Sequence, residues 1–169
     1  MIDKKSLIKL LNTYNLKYKL YTHPPLFTVE DSKNMRGKID GAHTKNLFLR
    51  NKKDYFFLIT CLENTLVDLK LLRKNLNLGN VSFAGEKYLN ELLNVSPGAV
   101  TPFGLLNDTN RKIKFYIDIK LNDFDSFNFH PLVNTATLNI KKKDFYNFFI
   151  DNDININLLN LDTFEIKNA

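Results

Sequence analysis

At 169 residues with 44% hydrophobic side chains, among them 14 Phe and 7 Tyr, the chain has the material for one packed core, which excludes a disordered protein and any need for disulfide or metal staples. A formal net charge of +6 and a sequence pI near 9.3 favour a polyanionic partner, nucleic acid first. The single cysteine, Cys61 in the apolar run FFLITCL, reads as a small core residue in a reducing compartment. The polar start MIDKKSLIKLL lacks the layout of a signal peptide, and no segment reaches about 18 uninterrupted apolar residues, so a soluble cytoplasmic protein with no membrane partner is expected.

From Asp3 to Asn12, Leu7, Ile8, Leu10 and Leu11 recur at helical spacing behind an acidic start, which predicts an amphipathic helix. Tyr18 to Thr22 alternates as a short strand, broken by His23, Pro24 and Pro25. Thr28 and Asp31 then open a helix that runs to about Arg36 and stops at Gly37. Lys33, Arg36 and Lys38 crowd its far end; such a cluster is ordinarily a solvated face, but on a basic chain it is also a place to hold a phosphate backbone.

Lys45 to Arg50 and Tyr55 to Cys61 read as two strands of a hairpin, joined by the charged turn Asn51 to Asp54. Asp68 to Leu76 has a helical pattern, Val81 to Ala84 that of a short strand, and Glu86 to Leu93 that of a further short helix. After a glycine- and proline-rich loop, Ile113 to Leu121 alternates as a half-buried strand and Asn134 to Ile140 as another. Asp144 to Ile150 predicts a helix, and the tail to Ala169 has no decisive pattern. No repeat or linker divides the chain. The expected fold is α+β, one domain over residues 1–169, with a mixed, curved sheet and short helices around it.

The loop SPGAVTPFGLLND, residues 96–108, is where the backbone looks prepared for chemistry. Gly98 and Gly104 can bring amides close to a ligand or take positive φ, while Pro97 and Pro102 stiffen the path. Exposed amides of this kind hold an anion or a polarised carbonyl without a charged side chain. Taken alone, the other polar residues are ordinary. Lys45 heads a strand as a solvated lysine would, and His23 and His130 precede prolines as hydrogen-bonded edge histidines do. The histidines and Cys61 have no zinc-site spacing, and no P-loop, G-x-S-x-G or G-x-G-x-x-G is present. Asp118, Asp123 and Asp125 fall at a strand end and its turn, where solvation accounts for them.

The three segments GAHTKNLFLR at 41–50, SPGAVTPFGLLND at 96–108 and FHPLVNTATLNI at 129–140, in this order, resemble the YbaK/ProX family of freestanding aminoacyl-tRNA editing deacylases. The Lys-Asn pair before LFL is similar to the branch that acts on alanyl-tRNA for proline. The likeness runs from about residue 3 to residue 161. It implies a mixed sheet with surrounding helices, no metal and no cofactor, and hydrolysis of the ester joining a wrong amino acid to the terminal ribose of tRNA. By matching position it makes Lys45 the family's essential lysine, Gly98 and Pro102 the ends of its G-x-x-x-P loop, and Asn46 and His130 the polar residues framing the aminoacyl group. Ala99 joins Gly98 as a catalytic candidate, and Thr101 and Phe129 join the substrate-binding set. Lys33, Arg36 and Lys38 are the candidate tRNA contacts. The partners so implied are the acceptor end of a mischarged tRNA and prolyl-tRNA synthetase.

Elementary energetics agree with that implication. A synthetase pocket that fits proline gains only about 1–3 kcal/mol against smaller alanine, so a second pocket that admits only the smaller residue is needed. An aminoacyl ester is already activated, so the task is to place a water and to steady charge on the carbonyl oxygen. Lys45 suits anchoring the terminal adenosine. Two alternatives stay open: specificity for cysteine or another small amino acid, and a non-catalytic module that only binds tRNA or a synthetase.

Overall fold

The apolar runs LFLRN and FFLITCL pair in register as an antiparallel hairpin, β2 (Ala42–Asn51) with β3 (Phe56–Leu62), and the remaining elements assemble around it. The structure, a computed structural model, describes residues 1–25 and 39–168. The helix expected from Thr28 to Arg36, with Lys33, Arg36 and Lys38, lies outside the described residues. At the hairpin tip Asn51 Oδ1 accepts from the amides of Lys53 and Tyr55, and Asp54 takes φ of 58°. The side chain of Asn51 thus supplies the turn that the charged sequence foretold.

The other strands are β1 (Tyr18–Thr22), β4 (Val81–Phe83), β5 (Ile113–Asp118), β6 (Ser126–Phe129), β7 (Ala136–Lys141), β8 (Ile156–Leu159) and β9 (Ile166–Asn168). They join one sheet in the order β1-β7-β6-β2-β3-β5-β8-β9, with β4 also on β2. The β2/β6, β3/β5 and β5/β8 ladders are parallel and the others antiparallel, so the expected mixed sheet with short helices is the fold. Among the described residues no helix is long and apolar enough to cross a membrane.

Period-2 alternation sends side chains to two faces. Phe48, Phe56, Leu58, Phe115, Ile117, Phe127, Phe129, Leu138 and Ile140 enter the larger core, closed by α1 (Lys4–Thr13) and α4 (Lys142–Asp151). Leu49, Phe57, Ile59, Tyr116 and Leu159 enter a smaller one with Leu72 of α2 (Leu69–Asn75) and Leu78. Phe103 sits within 5.8 to 6.4 Å of the rings of Phe129, Phe145, Phe148 and Phe149. Much of the phenylalanine in the composition is spent on this one aromatic cluster.

Several elements differ from their sequence reading. The strand expected through Leu121 stops at Asp118, which caps a 3-10 turn, Ile119–Asp123, through its side chain. The segment Glu86–Leu93 is one α-turn, α3 (Glu86–Tyr88), running on into a π-turn, Leu89–Leu93, that ends on Asn94 in the left-handed region. The undecided tail supplies β8 and β9, folded over a turn in which Asn160 Oδ1 accepts from Asp162 and Thr163.

Candidate active site

β3 lines one edge of β2 from Thr44 to Arg50, but on the other edge β6 reaches only Ala42 and His43, and β4 only Leu49 to Asn51. Among the described residues the sheet is therefore open beside Thr44 to Phe48. Thr44 Oγ1 ends the β6 ladder by donating to the Asn128 carbonyl at 2.8 Å. Into the opening comes the 96–101 loop: Asn46 Nδ2 donates to the Val100 carbonyl at 3.0 Å, and Asn46 Oδ1 accepts from Thr60 Oγ1 at 2.6 Å. Sequence reasoning passed over Thr60, because a threonine inside FFLITCL is what a buried strand ordinarily contains.

Gly98 holds φ of 86°, the left-handed region that its missing Cβ permits. The Ala99 amide donates to the Ser96 carbonyl at 3.1 Å and closes the turn, so it is already used. The amides of Gly98, Val100 and Thr101 meet no protein acceptor among the described residues. Thr101 is fully buried, and its Oγ1 has no partner among the described residues. Pro102 then starts a 3-10 helix, Pro102–Asn107, in which Phe103, Gly104 and Leu105 are also buried. The segment 96–108, expected as one stiffened loop with exposed amides, is thus a loop only as far as Thr101, and a largely buried 3-10 helix follows. A Cβ on Gly104 would lie 2.9 Å from Leu93 Cβ and 3.2 Å from its carbonyl oxygen, so this glycine serves close packing and not ligand approach.

The β6–β7 connection forms the third wall. A Cβ on Gly98 would stand 3.6 Å from Asn134 Nδ2, which brings the two loops side by side. His130 Nδ1 lies 3.0 Å from the Ala136 carbonyl, an acceptor only, so Nδ1 carries the proton and Nε2 of the neutral ring is bare. Burial holds the imidazole below its ordinary pKa, with the Ala136 hydrogen bond opposing and the nearby His23 adding to the effect. The His23 ring stands 6.4 Å away, held by the Pro24 carbonyl and Thr137 Oγ1. Phe129, expected beside the substrate, instead turns into the core, 2% exposed and stacked 5.0 Å from Phe145. Alternation along an extended segment gives it the face opposite to His130.

Lys45 occupies the face of β2 opposite Asn46. It pairs in register with Cys61, and its ammonium donates to the Thr65 carbonyl. Cys61 is wholly buried and its thiol is pushed up to about 12 by burial, with Lys45 pulling it down and Asp118 raising it further. Asp118 is also fully buried, which corrects its reading as a solvated turn acid. Its Oδ1 accepts from the Lys120 amide at 3.3 Å, and burial raises its pKa against the pull of Lys120. A strand that passes directly into a 3-10 turn uses its last acid as the cap, and the cap lies inside.

Among the described residues no three His, Cys, Asp or Glu side chains gather as metal ligands. A recess of about 230 Å³, lined in part by Leu105, Asp108, Arg111, Lys112 and Lys114, opens at the far end of β5 from Asp118. Arg111 spends its guanidinium there on the carbonyls of Leu105, Asp108, Asn152 and Asp153, so it is a corner clamp.

A mixed sheet opened beside the Lys45-Asn46 strand, with the Gly98–Pro102 loop docked in the opening, agrees with the resemblance to aminoacyl-tRNA editing domains of the YbaK/ProX type. The family model described as an aminoacyl-tRNA editing domain matches residues 23–148, and the chain belongs to that family. It is 34% identical over 150 residues to a prolyl-tRNA synthetase associated domain-containing protein 1 of Xenopus laevis, covering 86% of this chain and 89% of that one. It is 31% identical over 145 residues to the prolyl-tRNA editing protein ProX of Acetoanaerobium sticklandii, covering 85% and 88%. A solved structure of a proposed trans-editing enzyme for prolyl tRNA synthetase shares the fold at a TM-score of 0.66 with 17% identity, over 92% and 96% of the two chains.

Proposed function

We propose that the chain, as a single editing domain over residues 1–169, is a cytoplasmic trans-editing hydrolase that removes alanine from mischarged alanyl-tRNA(Pro). The observation that carries this reading is the Asn46 amide bound to the Val100 carbonyl, which couples the Lys-Asn strand to a loop whose Gly98, Val100 and Thr101 amides meet no acceptor among the described residues. In the reaction, a water oxygen attacks the ester carbonyl carbon and the loop amides bear the negative oxygen that forms. The carbon–oxygen bond to the ribose then breaks, one of the water's two protons passes to the ribose oxygen and the other to solvent, and alanine leaves as a carboxylate. A ribose hydroxyl of the substrate helps to position the water. His130, with Nε2 as an acceptor, faces the amino group of the substrate.

Lys45 and Asn46 lie on opposite faces of one strand, so a substrate touching both straddles the open edge of β2: the aminoacyl group on the loop side, the terminal adenosine on the lysine side. Lys33, Arg36 and Lys38 are proposed for the acceptor stem, and prolyl-tRNA synthetase as the source of the error. The test is a panel of alanyl-, cysteinyl-, seryl- and prolyl-tRNA(Pro), following release of labelled amino acid. Fastest release from alanyl-tRNA supports the proposal, fastest release from another small residue moves the specificity, and binding without release leaves a non-catalytic module.

A further inference from the structure

Resting on the hydrolase reading above, we infer that Thr60 is a positioning residue: acting through Asn46, it sets the plane of the Val100–Thr101 peptide and aims the Thr101 amide at the ester oxygen that becomes negative. The hydrogen bonds themselves fix the direction of this relay. The Val100 carbonyl can only accept, so the atom facing it, 3.0 Å away, is the Asn46 nitrogen. Asn46 Oδ1 therefore faces Thr60, and the Thr60 hydroxyl, 2.6 Å away, donates. Thr60 is fully buried and stands opposite Asn46 in the β2/β3 register, so its hydroxyl has no water to turn to.

Within one trans peptide unit the C=O and N–H point in opposite directions. Tethering the Val100 carbonyl to the sheet thus turns the Thr101 N–H away from it. That amide has no protein acceptor among the described residues, and the Thr101 hydroxyl beside it is buried and unpartnered. Folded chains pair nearly all such groups, so two unpaired polar groups at one buried residue mark a place where a ligand supplies the partner. A carbonyl that accepts a hydrogen bond also makes the N–H of its own peptide a stronger donor. Asn46, with both ends of its amide engaged, is in this account a strut between sheet and loop.

The test is single-turnover hydrolysis of alanyl-tRNA(Pro) by wild type, Thr60→Val, Thr60→Ser, Asn46→Ala and the Thr60→Val/Asn46→Ala double variant. Valine keeps the shape of threonine and removes the donor. Thr60→Val should slow the first-order step about 10- to 30-fold, with the half-saturating tRNA concentration within about 2-fold of wild type, the cost of one lost buried hydrogen bond at the transition state. Thr60→Ser should stay within about 3-fold of wild type, and the double variant should be no slower than Asn46→Ala alone, because both act on one relay. A full rate in Thr60→Val, a serine variant as slow as the valine one, or losses that multiply in the double variant would overturn the inference. Side-chain amide exchange of Asn46, read by NMR, gives an arm independent of activity: slow in wild type and Thr60→Ser, fast in Thr60→Val. If wild type releases no amino acid from any charged tRNA, the hydrolase reading fails by itself; unchanged Asn46 exchange in Thr60→Val sinks the relay. Should Thr60→Val not fold, Thr60→Ser against Asn46→Ala decides the same question, with equal slowing in both counting against it.

Discussion

If the proposed hydrolysis uses the 96–101 loop, the two glycines of the segment 96–108 should separate chemistry from packing, and Gly98→Ala against Gly104→Ala makes that separation measurable. At Gly98 an added Cβ would meet only Asn134 Nδ2, at 3.6 Å, an ordinary contact, so the cost lies in φ of 86°. Forcing an L-residue into that region costs about 1–2 kcal/mol, which the loop can escape by shifting away from its native path. At Gly104 the added Cβ would fall 2.9 Å from Leu93 Cβ and 3.2 Å from its backbone oxygen. No side-chain rotation relieves that contact, and overpacking of this kind costs about 1–3 kcal/mol. For a chain of this length each kcal/mol lowers Tm by about 2–4 °C. Gly104→Ala should thus lose about 2–12 °C while deacylation per folded molecule falls less than about 3-fold. Gly98→Ala should lose no more than about 2–8 °C while the single-turnover rate falls at least about 10-fold. Thermal unfolding and deacylation of alanyl-tRNA(Pro), run on the same preparations, give both numbers. The reasoning is refuted if the two variants exchange behaviours, or if Gly104→Ala melts with wild type.

Lys45→Ala should cut hydrolysis by about 100-fold, or about 2.7 kcal/mol of transition-state stabilisation, in a protein that still folds; near-normal turnover would remove the lysine from the site. Cys61, buried with its thiol pushed up to about 12, should resist iodoacetamide at pH 8 in the folded protein and react once unfolded in guanidinium, so prompt labelling of native protein would contradict its burial. For Asp118 the folded pKa lies above the ordinary 3.8. Between those two values the native state binds more protons than the unfolded chain, so stability falls as pH rises from 3.8 through the folded pKa. Asp118→Asn keeps a capping oxygen without the charge. It should melt above wild type at pH 7 with the difference vanishing below pH 3.8, and a lower Tm at pH 7 would show that the carboxylate is stabilised where it sits.

What the sequence disclosed and what it hid divide along a physical line. Elements with strong periodicity and their own turn chemistry were legible: Asp3 and Asp68 cap α1 and α2, and Asn51 makes the β2–β3 turn. β6 was not, because SFNF is short and owes its place to pairing with β7 and β2. The π-turn at Leu89–Leu93 looks like any helix in one dimension, since a shift from i+4 to i+5 bonding leaves the apolar spacing nearly unchanged. The candidate site could be read from the sequence as three segments but not in its connections. That Asn46 is clasped between Thr60 and Val100 depends on strand register and loop approach, both long-range, and no pattern local to residue 60 announces it. Phe129 was misread for the same reason: which face of an extended segment meets a pocket is decided by the sheet it joins.

The opening beside Thr44–Phe48 explains why a strand, and not a loop, carries the Lys-Asn pair. A paired strand is rigid, so residues 45 and 46 are fixed relative to one another and to β3 through register. Yet a strand paired on both edges would leave no path from one face of the sheet to the other. Ending the β6 ladder at His43 and starting the β4 ladder at Leu49 keeps the rigidity of the β3 pairing and frees the opposite edge over a few residues. Thr44 Oγ1 on the Asn128 carbonyl and the Ala84 amide on the Phe48 carbonyl satisfy backbone acceptors at the two ends of the opening. Between them, the hydrogen bond from Asn46 to Val100 lets the loop dock without adding a strand. Closing that gap with a continuous ladder should therefore abolish the proposed hydrolysis, because a substrate could no longer touch both faces of β2, even with every named side chain retained.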